Sequence, residues 1–198
     1  MRKVIVTNIV SLDGYYEGPG ADVMALPMDS AFNEYNLERM QAASTVLLGR
    51  RSFELFSSYW PSIADAPEDP TNPALDATNR EISRVYNGRS KVVVTDSYTP
   101  PPDNAWRDTT TTISSRGVRD WIAGRDEDEE VVVYGSRTMW NGLLHAGLVA
   151  ELHLMVGPVA LGGGTPIFTR PVPPMRLVGT RTFEGSSNVL LRYAPDRD

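Results

Sequence analysis

Residues 46–54 read VLLGRRSFE. The aliphatic run predicts a buried strand ending at Gly49, and Arg50, Arg51 and Ser52 then stand where a helix begins. A helix start leaves its first amides unpaired and its dipole positive, so the stretch is either an anion site or a plain strand-to-helix junction with solvated arginines. The flanking sequence has to separate the two readings.

Upstream, KVIVTNIV (3–10) is rich in β-branched residues and runs into SLDG, whose Asp13 and Gly14 favour a turn. DSAFNEYNLERMQAA (29–43) sets Phe32, Tyr35, Met40 and Ala43 on one helical arc, with Asp29 or Ser30 available as N-cap. Downstream, YWPSIADAPEDPTNP (59–73) is a Pro- and Asp-rich excursion too long for a routine connection and is expected on the surface. A helix near 75–87 leads to the strand KVVVTDS (91–97), TTTTI (109–113) forms a further strand, and a short helix starts at Ser114 or Ser115. The acidic run DEDEE (126–130) reads as a solvated loop. VVVYGS (131–136) repeats the pattern of strand, glycine and hydroxyl residue, and in the helix after it Met139, Trp140, Leu143 and Leu144 share a face. ELHLMVGPV (151–159) is one more strand and LGGGTPIF (161–168) a glycine-rich loop. RLVGTRTF and NVLLRYA flank EGSS as a terminal hairpin. Strands alternating with helices give an α/β fold with a mostly parallel central sheet and the hairpin as its antiparallel edge.

The chain has 198 residues, 41% hydrophobic and 22% charged, which fits a single domain spanning 1–198 with a sizeable core. A formal net charge of -6 argues against general affinity for nucleic acid or an anionic membrane, so any anion site must be local. The lack of cysteine excludes disulfides and thiolate chemistry. His145 and His153 are the only histidines, and packing or surface roles suit them better than a metal pair; no metal site is expected. No stretch approaches the length of a membrane span, and a soluble cytoplasmic protein is the expectation.

Three post-strand positions carry the chemistry: Gly49 to Ser52, Thr95 to Ser97, and Gly135 with Ser136. In an open α/β sheet ligands gather at the carboxyl ends of strands, and this mix of glycine, hydroxyl and guanidinium groups suits a dinucleotide with several phosphates. No GxGxxG follows the first strand, no Walker A motif occurs, and GSRTM lacks the nucleophile-elbow pattern.

In order along the chain, SLDG, LLGRRSFE, KVVVTDS, VVYGSRTMWNGLLHAGLVAELHL and VGPVALGGGTPIF closely resemble the dihydrofolate reductase-like family. The nearest branch is the stand-alone one related to the reductase domain of bacterial riboflavin biosynthesis. The resemblance implies a three-layer sandwich around an eight-stranded, mostly parallel sheet. It also implies NADPH as hydride donor to a small heterocyclic or carbonyl substrate, pterin- or aminopyrimidine-like. By the same resemblance Gly49, Arg50, Arg51 and Ser52 meet the cofactor phosphates, Thr95 and Ser97 the adenosine with its 2′-phosphate, and Gly135, Ser136, Arg137 and Thr138 the pyrophosphate. The family usually has Gly-Gly where Ser136 stands. Asp13 and Gly14 match the loop over nicotinamide and substrate, with Asp13 either catalytic or a turn-stabilising residue. Tyr15, Tyr16, Trp60 and Tyr134 are candidates for lining the pocket, with core packing as the alternative. Dihydrofolate reductases carry an acid on the first helix; Asn33 falls near that place, and Asp29, one turn earlier, is expected to be spent as a cap. The threonine that partners the acid aligns near Met155, so poor reduction of dihydrofolate is expected. A homodimer is expected from the apolar hairpin and the habit of this branch. A non-catalytic nucleotide-binding or regulatory module that keeps the cleft is the alternative to an enzyme.

Overall fold

The computed structural model describes residues 3–67, 69 and 71–196. The chain runs β1 (Lys3–Val10), β2 (Tyr15–Glu17), α1 (Ser30–Ala42), β3 (Thr45–Gly49), α2 (Arg50–Tyr59), α3 (Ala77–Gly88), β4 (Ser90–Val94), β5 (Thr110–Ile113), α4 (Val118–Ala123), β6 (Glu130–Tyr134), α5 (Arg137–His145), β7 (Glu151–Val156), β8 (Thr165–Pro166), β9 (Met175–Thr182) and β10 (Val189–Pro195). Eight strands form one sheet in the order β5-β4-β3-β6-β1-β7-β10-β9. The first six are parallel, and β10 and β9 add the antiparallel edge. This is the mostly parallel α/β sheet that the alternation of strands and helices predicts.

Helices on both faces bury the central strands, which is why β1, β3 and β6 are mostly aliphatic and their burial does not alternate. On one face Val4, Val6 and Leu47 pack with Trp140, Leu143 and Leu144 of α5. On the other, Val46, Leu48 and Val132 pack with Met40, Phe53, Ile82 and Tyr86 from α1, α2 and α3. Each such buried aliphatic side chain contributes about 1.5–3 kcal/mol. A third cluster joins Tyr35 and the half-buried Phe32 of α1 to Ile9, Met155 and Leu190. The α1 arc therefore lies where its periodicity puts it, and Asp29 caps the helix by accepting the Phe32 amide at 3.1 Å.

Four local readings are corrected. Glu130 is not part of a solvated loop: it opens β6, is buried, and pairs with Arg39 at 3.4 Å. The 59–73 excursion, whose residues 68 and 70 lie outside the described set, is partly inside, because Ile63 and Ala64 are buried. Arg80 fastens it to α3 by donating to the carbonyls of Ala64, Ala66 and Leu75, and Ser83 bridges Trp60 and Ala64. The short helix after β5 starts at Val118, with Ser114 Oγ accepting the Gly117 amide in the turn before it. Finally, Tyr15–Glu17 pairs with Thr165–Pro166 in a small second sheet. Gly164 makes that pairing possible, since at φ +124 any side chain there would drive into the Glu17 carbonyl.

Candidate active site

Strands β4, β3, β6, β1 and β7 are consecutive and parallel, so their carboxyl ends emerge along one edge. That edge collects, in order, Thr95 to Ser97, Gly49 to Ser52, Gly135 to Thr138, Ser11 to Gly14, and the Gly157 to Gly164 loop. The topology thus brings the three predicted junctions side by side.

Helices α2 and α5 start at neighbouring strands and lack a capping side chain from their own N-cap residues. They cap one another: the Gly49 amide donates to Ser136 Oγ at 2.9 Å, and the Ser136 amide donates to Ser52 Oγ at 2.8 Å. For this exchange Gly135 and Ser136 both take left-handed backbone, at φ 55 and φ 52. The stitch leaves the first-turn amides that follow, those of Arg50 to Ser52 and Arg137 to Met139, without intrahelical acceptors on two adjacent helix starts. Such a pair of helix starts suits a pyrophosphate. A Cβ on Gly135 would stand 3.0 Å from Ser52 Oγ, 3.3 Å from the Tyr16 hydroxyl and 3.5 Å from Phe56 Cζ, so the junction admits glycine alone without rearrangement.

The arginines divide. Arg50 pairs with Glu54 at 3.1 Å and lies 5.0 Å over the Tyr98 ring, while Arg51 is exposed and has no ion pair among the described residues. Arg137 does not present a free guanidinium: it donates to the carbonyls of Pro166 and Phe168 and ties α5 to the β8 loop. Thr138 and Ser97 are exposed, and Thr95 Oγ1 accepts the Tyr98 amide at 3.1 Å. Asp96 between them is held below the usual carboxylate range by the Ser115 hydroxyl and amide.

Asp13 ties two loops together. Its carboxylate accepts from Ser11 Oγ at 2.6 Å and from the amides of Gly162 and Leu161 at 2.7 and 3.0 Å, which joins the loop after β1 to the glycine loop after β7. The Ser11 hydroxyl, then those two amides, lower its pKa from 3.8 to about 2, so it has no proton to give at neutral pH. Asp29 is equally committed, accepting from Ser186, Asn188 and the Phe32 amide. Tyr134 is buried among α1, α2 and α3 and donates to the Asn36 carbonyl at 2.7 Å, so it is a core residue and lines no cleft. Trp60 is half-buried against Tyr86, and Asn33 is half-buried with no side-chain hydrogen bond among the described residues.

Two cavities, of about 280 and 400 Å³, open at the opposite, amino edge of the sheet. Size alone would favour them. Their polar groups, however, are largely satisfied internally: Lys91 donates to Asn87, Arg89 and Thr109 in the first, and Arg39–Glu130, Arg181–Glu38 and Arg192–Glu151 pair off in the second. The glycine junctions and unpaired helix amides mark the carboxyl edge instead. Among the described residues no group of three or more His, Asp or Glu is placed to hold a metal ion, and no helix is long and apolar enough to cross a membrane.

The RibD C-terminal domain model matches residues 2–189. The chain belongs to the RibD C-terminal domain family. Within this group of relatives, YyaP of Bacillus subtilis (strain 168) is 26% identical over 186 residues, 92% of this chain and 89% of that protein. The same fold occurs in a diaminohydroxyphosphoribosylaminopyrimidine deaminase/5-amino-6-(5-phosphoribosylamino)uracil reductase from Thermotoga maritima, at TM-score 0.65 and 15% identity over 98% of this chain and 57% of that one. It occurs again in the dihydrofolate reductase of Enterococcus faecalis complexed with NADP(H), at TM-score 0.58 and 16% identity over 98% and 97% of the two chains. The RibD-type fold is therefore shared with dihydrofolate reductase, as the ordered sequence motifs imply.

Sequence reading missed the Ser52–Ser136 exchange and the tie that Arg137 makes to the β8 loop. The doubled strand-glycine-hydroxyl pattern was the available signal for the first; nothing local marks the second.

Proposed function

We propose that this RibD C-terminal family member is an NADPH-dependent reductase of a small heterocyclic or carbonyl substrate of the pterin or aminopyrimidine type. The observation that carries the reading is the pair of mutually capped helix starts at Gly49 and Gly135, whose unpaired amides sit on adjacent strands. Gly49, Arg50, Arg51 and Ser52 with Gly135, Ser136 and Thr138 would hold the pyrophosphate. Arg51, Thr95 and Ser97 would meet the extra phosphate, and Arg137 would act only by fixing α5. When bound, the dinucleotide supplies the hydride; the protein positions it and shapes the field around it. The names of two neighbours in this fold, a uracil-type reductase and an NADP(H) complex, support the choice of cofactor and substrate class.

Fluorescence titration tests the reading. NADPH is expected to bind more tightly than NADH, and oxidation of NADPH is expected with some member of a panel of pterins, aminopyrimidinones and dicarbonyls. Equal, millimolar affinity for both nucleotides would remove the cofactor assignment. The second reading, a non-catalytic nucleotide-binding module, is favoured by Asp13 being committed as a carboxylate; tight NADPH binding with no turnover across the panel would establish it. We further propose a cytoplasmic homodimer of single domains, because β9 closes the sheet with Leu177 and Val178 exposed.

A further inference from the structure

The turn at Gly135 is ringed by hydroxyl groups with protons to give. A side chain there would stand 3.0 Å from Ser52 Oγ and 3.3 Å from the Tyr16 hydroxyl, and Ser136, next in the chain, is 9% exposed. Ser52 Oγ accepts the Ser136 amide and Ser136 Oγ accepts the Gly49 amide, which uses a lone pair of each oxygen and leaves each O–H uncommitted. Among the described residues neither serine hydroxyl donates to an acceptor, and the Tyr16 hydroxyl takes part in no hydrogen bond. Tyr16 reaches this turn from a separate part of the chain. Its ring packs against the α5 side of the core, held there by the pairing of β2 with β8 and by the Thr165 hydroxyl, which donates to Glu17 at 2.7 Å. Burial of the ring, and then the Glu17 carboxylate, push the phenol up to about 12, so it keeps its proton at neutral pH. The neighbouring guanidinium groups are engaged, Arg137 with the carbonyls of Pro166 and Phe168 and Arg50 with Glu54. The turn therefore offers a ligand neutral donors, three hydroxyls beside the first-turn amides of two helices. A group with several acceptor oxygens and no proton of its own matches that set.

We infer that Tyr16 is a phosphate ligand: its hydroxyl donates to the diphosphate of the dinucleotide beside Ser52 and Ser136, so that β2 adds a third arm to the cradle built by the starts of α2 and α5. The inference rests on the reductase reading above. It divides the cofactor between two sets of residues. Tyr16 acts on the diphosphate, which NADPH and NADH share, whereas Arg51, Thr95 and Ser97 act on the extra phosphate, which only NADPH carries. Removing the phenol should then weaken both nucleotides by one factor and leave the preference between them untouched.

The test compares wild type with Tyr16→Phe. Because the hydroxyl bonds to no protein group among the described residues, the variant should melt as wild type does. In fluorescence titration it should bind NADPH and NADH each about 10-fold more weakly, as expected for one lost hydrogen bond to a charged group, with the ratio of the two affinities unchanged. At saturating NADPH its kcat on any panel compound that wild type reduces should be unaltered. ³¹P spectra of bound NADPH read the contact directly: the diphosphate resonances should differ between wild type and variant, and the 2′-phosphate resonance should not. In labelled wild type alone, the ¹³Cζ resonance of Tyr16 should shift when either nucleotide is added, a readout that stands even if the variant melts far lower. Failure of wild type to bind either nucleotide would sink the reductase reading itself. With wild-type binding intact, unchanged affinity in Tyr16→Phe or an unmoved ¹³Cζ resonance would overturn the role of Tyr16 and leave that reading standing. A loss confined to NADPH would move the hydroxyl to the extra phosphate, and a loss in kcat with affinity intact would move it to the substrate; either outcome overturns the assignment.

Discussion

At the scale of single residues, the site is defined by which side chains are already engaged. Arg50 is held by Glu54 and stacked on Tyr98, whereas Arg51 on the same helix start is exposed and unpaired among the described residues. An exposed i,i+4 pair is worth only about 0.3–0.5 kcal/mol, so Arg50 can leave it for a phosphate, but Arg51 has nothing to surrender. Arg51→Ala should weaken NADPH by about 1–3 kcal/mol and Arg50→Ala by less, measured by fluorescence titration. If neither moves the affinity, the phosphates do not lie on α2. A second residue-scale expectation concerns Asn33. It offers no carboxylate, Met155 is buried 1% exposed and offers only a weak thioether acceptor, and Asp29 is consumed by its cap and by Ser186 and Asn188. Dihydrofolate should be turned over far below the roughly 10 s⁻¹ typical of enzymes. Asn33→Asp should tighten binding of an antifolate with a protonated ring, and robust dihydrofolate reduction by wild type would contradict the assignment.

At the scale of elements, two helix starts are joined by two serines, Ser52 and Ser136. Ser136 accepts the left-handed backbone that costs a non-glycine residue about 1–2 kcal/mol, and its hydroxyl satisfies the Gly49 amide across the strand gap. Ser136→Ala keeps the strain and loses the acceptor, so a loss of about 1–3 kcal/mol is expected in urea unfolding. Ser136→Gly loses the same acceptor but relieves the backbone, and should be the more stable of the two variants by about 1–2 kcal/mol. Alanine proving equal to or better than glycine would mean that the left-handed turn is not strained. This arrangement was half legible. The pattern of strand, glycine and hydroxyl residue occurs twice in the sequence, and each copy predicts a helix start. The bonds between the copies join residues 87 and 84 positions apart, which no local pattern specifies.

At the scale of the whole molecule, β7 and β10 bring a buried histidine into line with α1. His153 is 1% exposed, with Nδ1 at 2.7 Å from the Tyr35 hydroxyl and Nε2 at 2.8 Å from Glu151, which also receives Arg192 at 3.1 Å. Arg39 and Glu130 complete the surrounding charges. Burial holds the His153 pKa below its usual 6.5, with Glu151 only partly opposing it. The unfolded chain therefore binds more protons than the folded one just below pH 6.5, and stability rises with pH there. The melting temperature should fall as pH drops from 7.5 to 5.5, and His153→Gln should flatten that slope; a slope unchanged in the variant would place its origin elsewhere. The exposed β9 edge makes its own prediction, since light scattering at micromolar concentration should give about twice 21.8 kDa, and a 21.8 kDa species would refute the dimer.

The sequence by itself determined the order of elements, the parallel sheet and the glycine junctions at its carboxyl edge. Helical and strand periodicity, β-branched runs and turn residues act over a few positions, and those are what a linear reading can see. It also carries the expectation that dihydrofolate is a poor substrate, because the identities of Asn33 and Met155 do not depend on the fold. Only the tertiary structure decided what the polar side chains are free to do. Asp13, Asp29, Arg137 and Tyr134 carry the right chemistry for a site, and each is engaged with a partner between 29 and 159 residues away. Tyr16 is one of several aromatics in the sequence, and only the meeting of β2, β6 and α2 sets its hydroxyl beside the Gly135 turn. A hydrogen-bonding group has one or a few bonds to give, and whether they are already given depends on neighbours that the chain brings together only on folding.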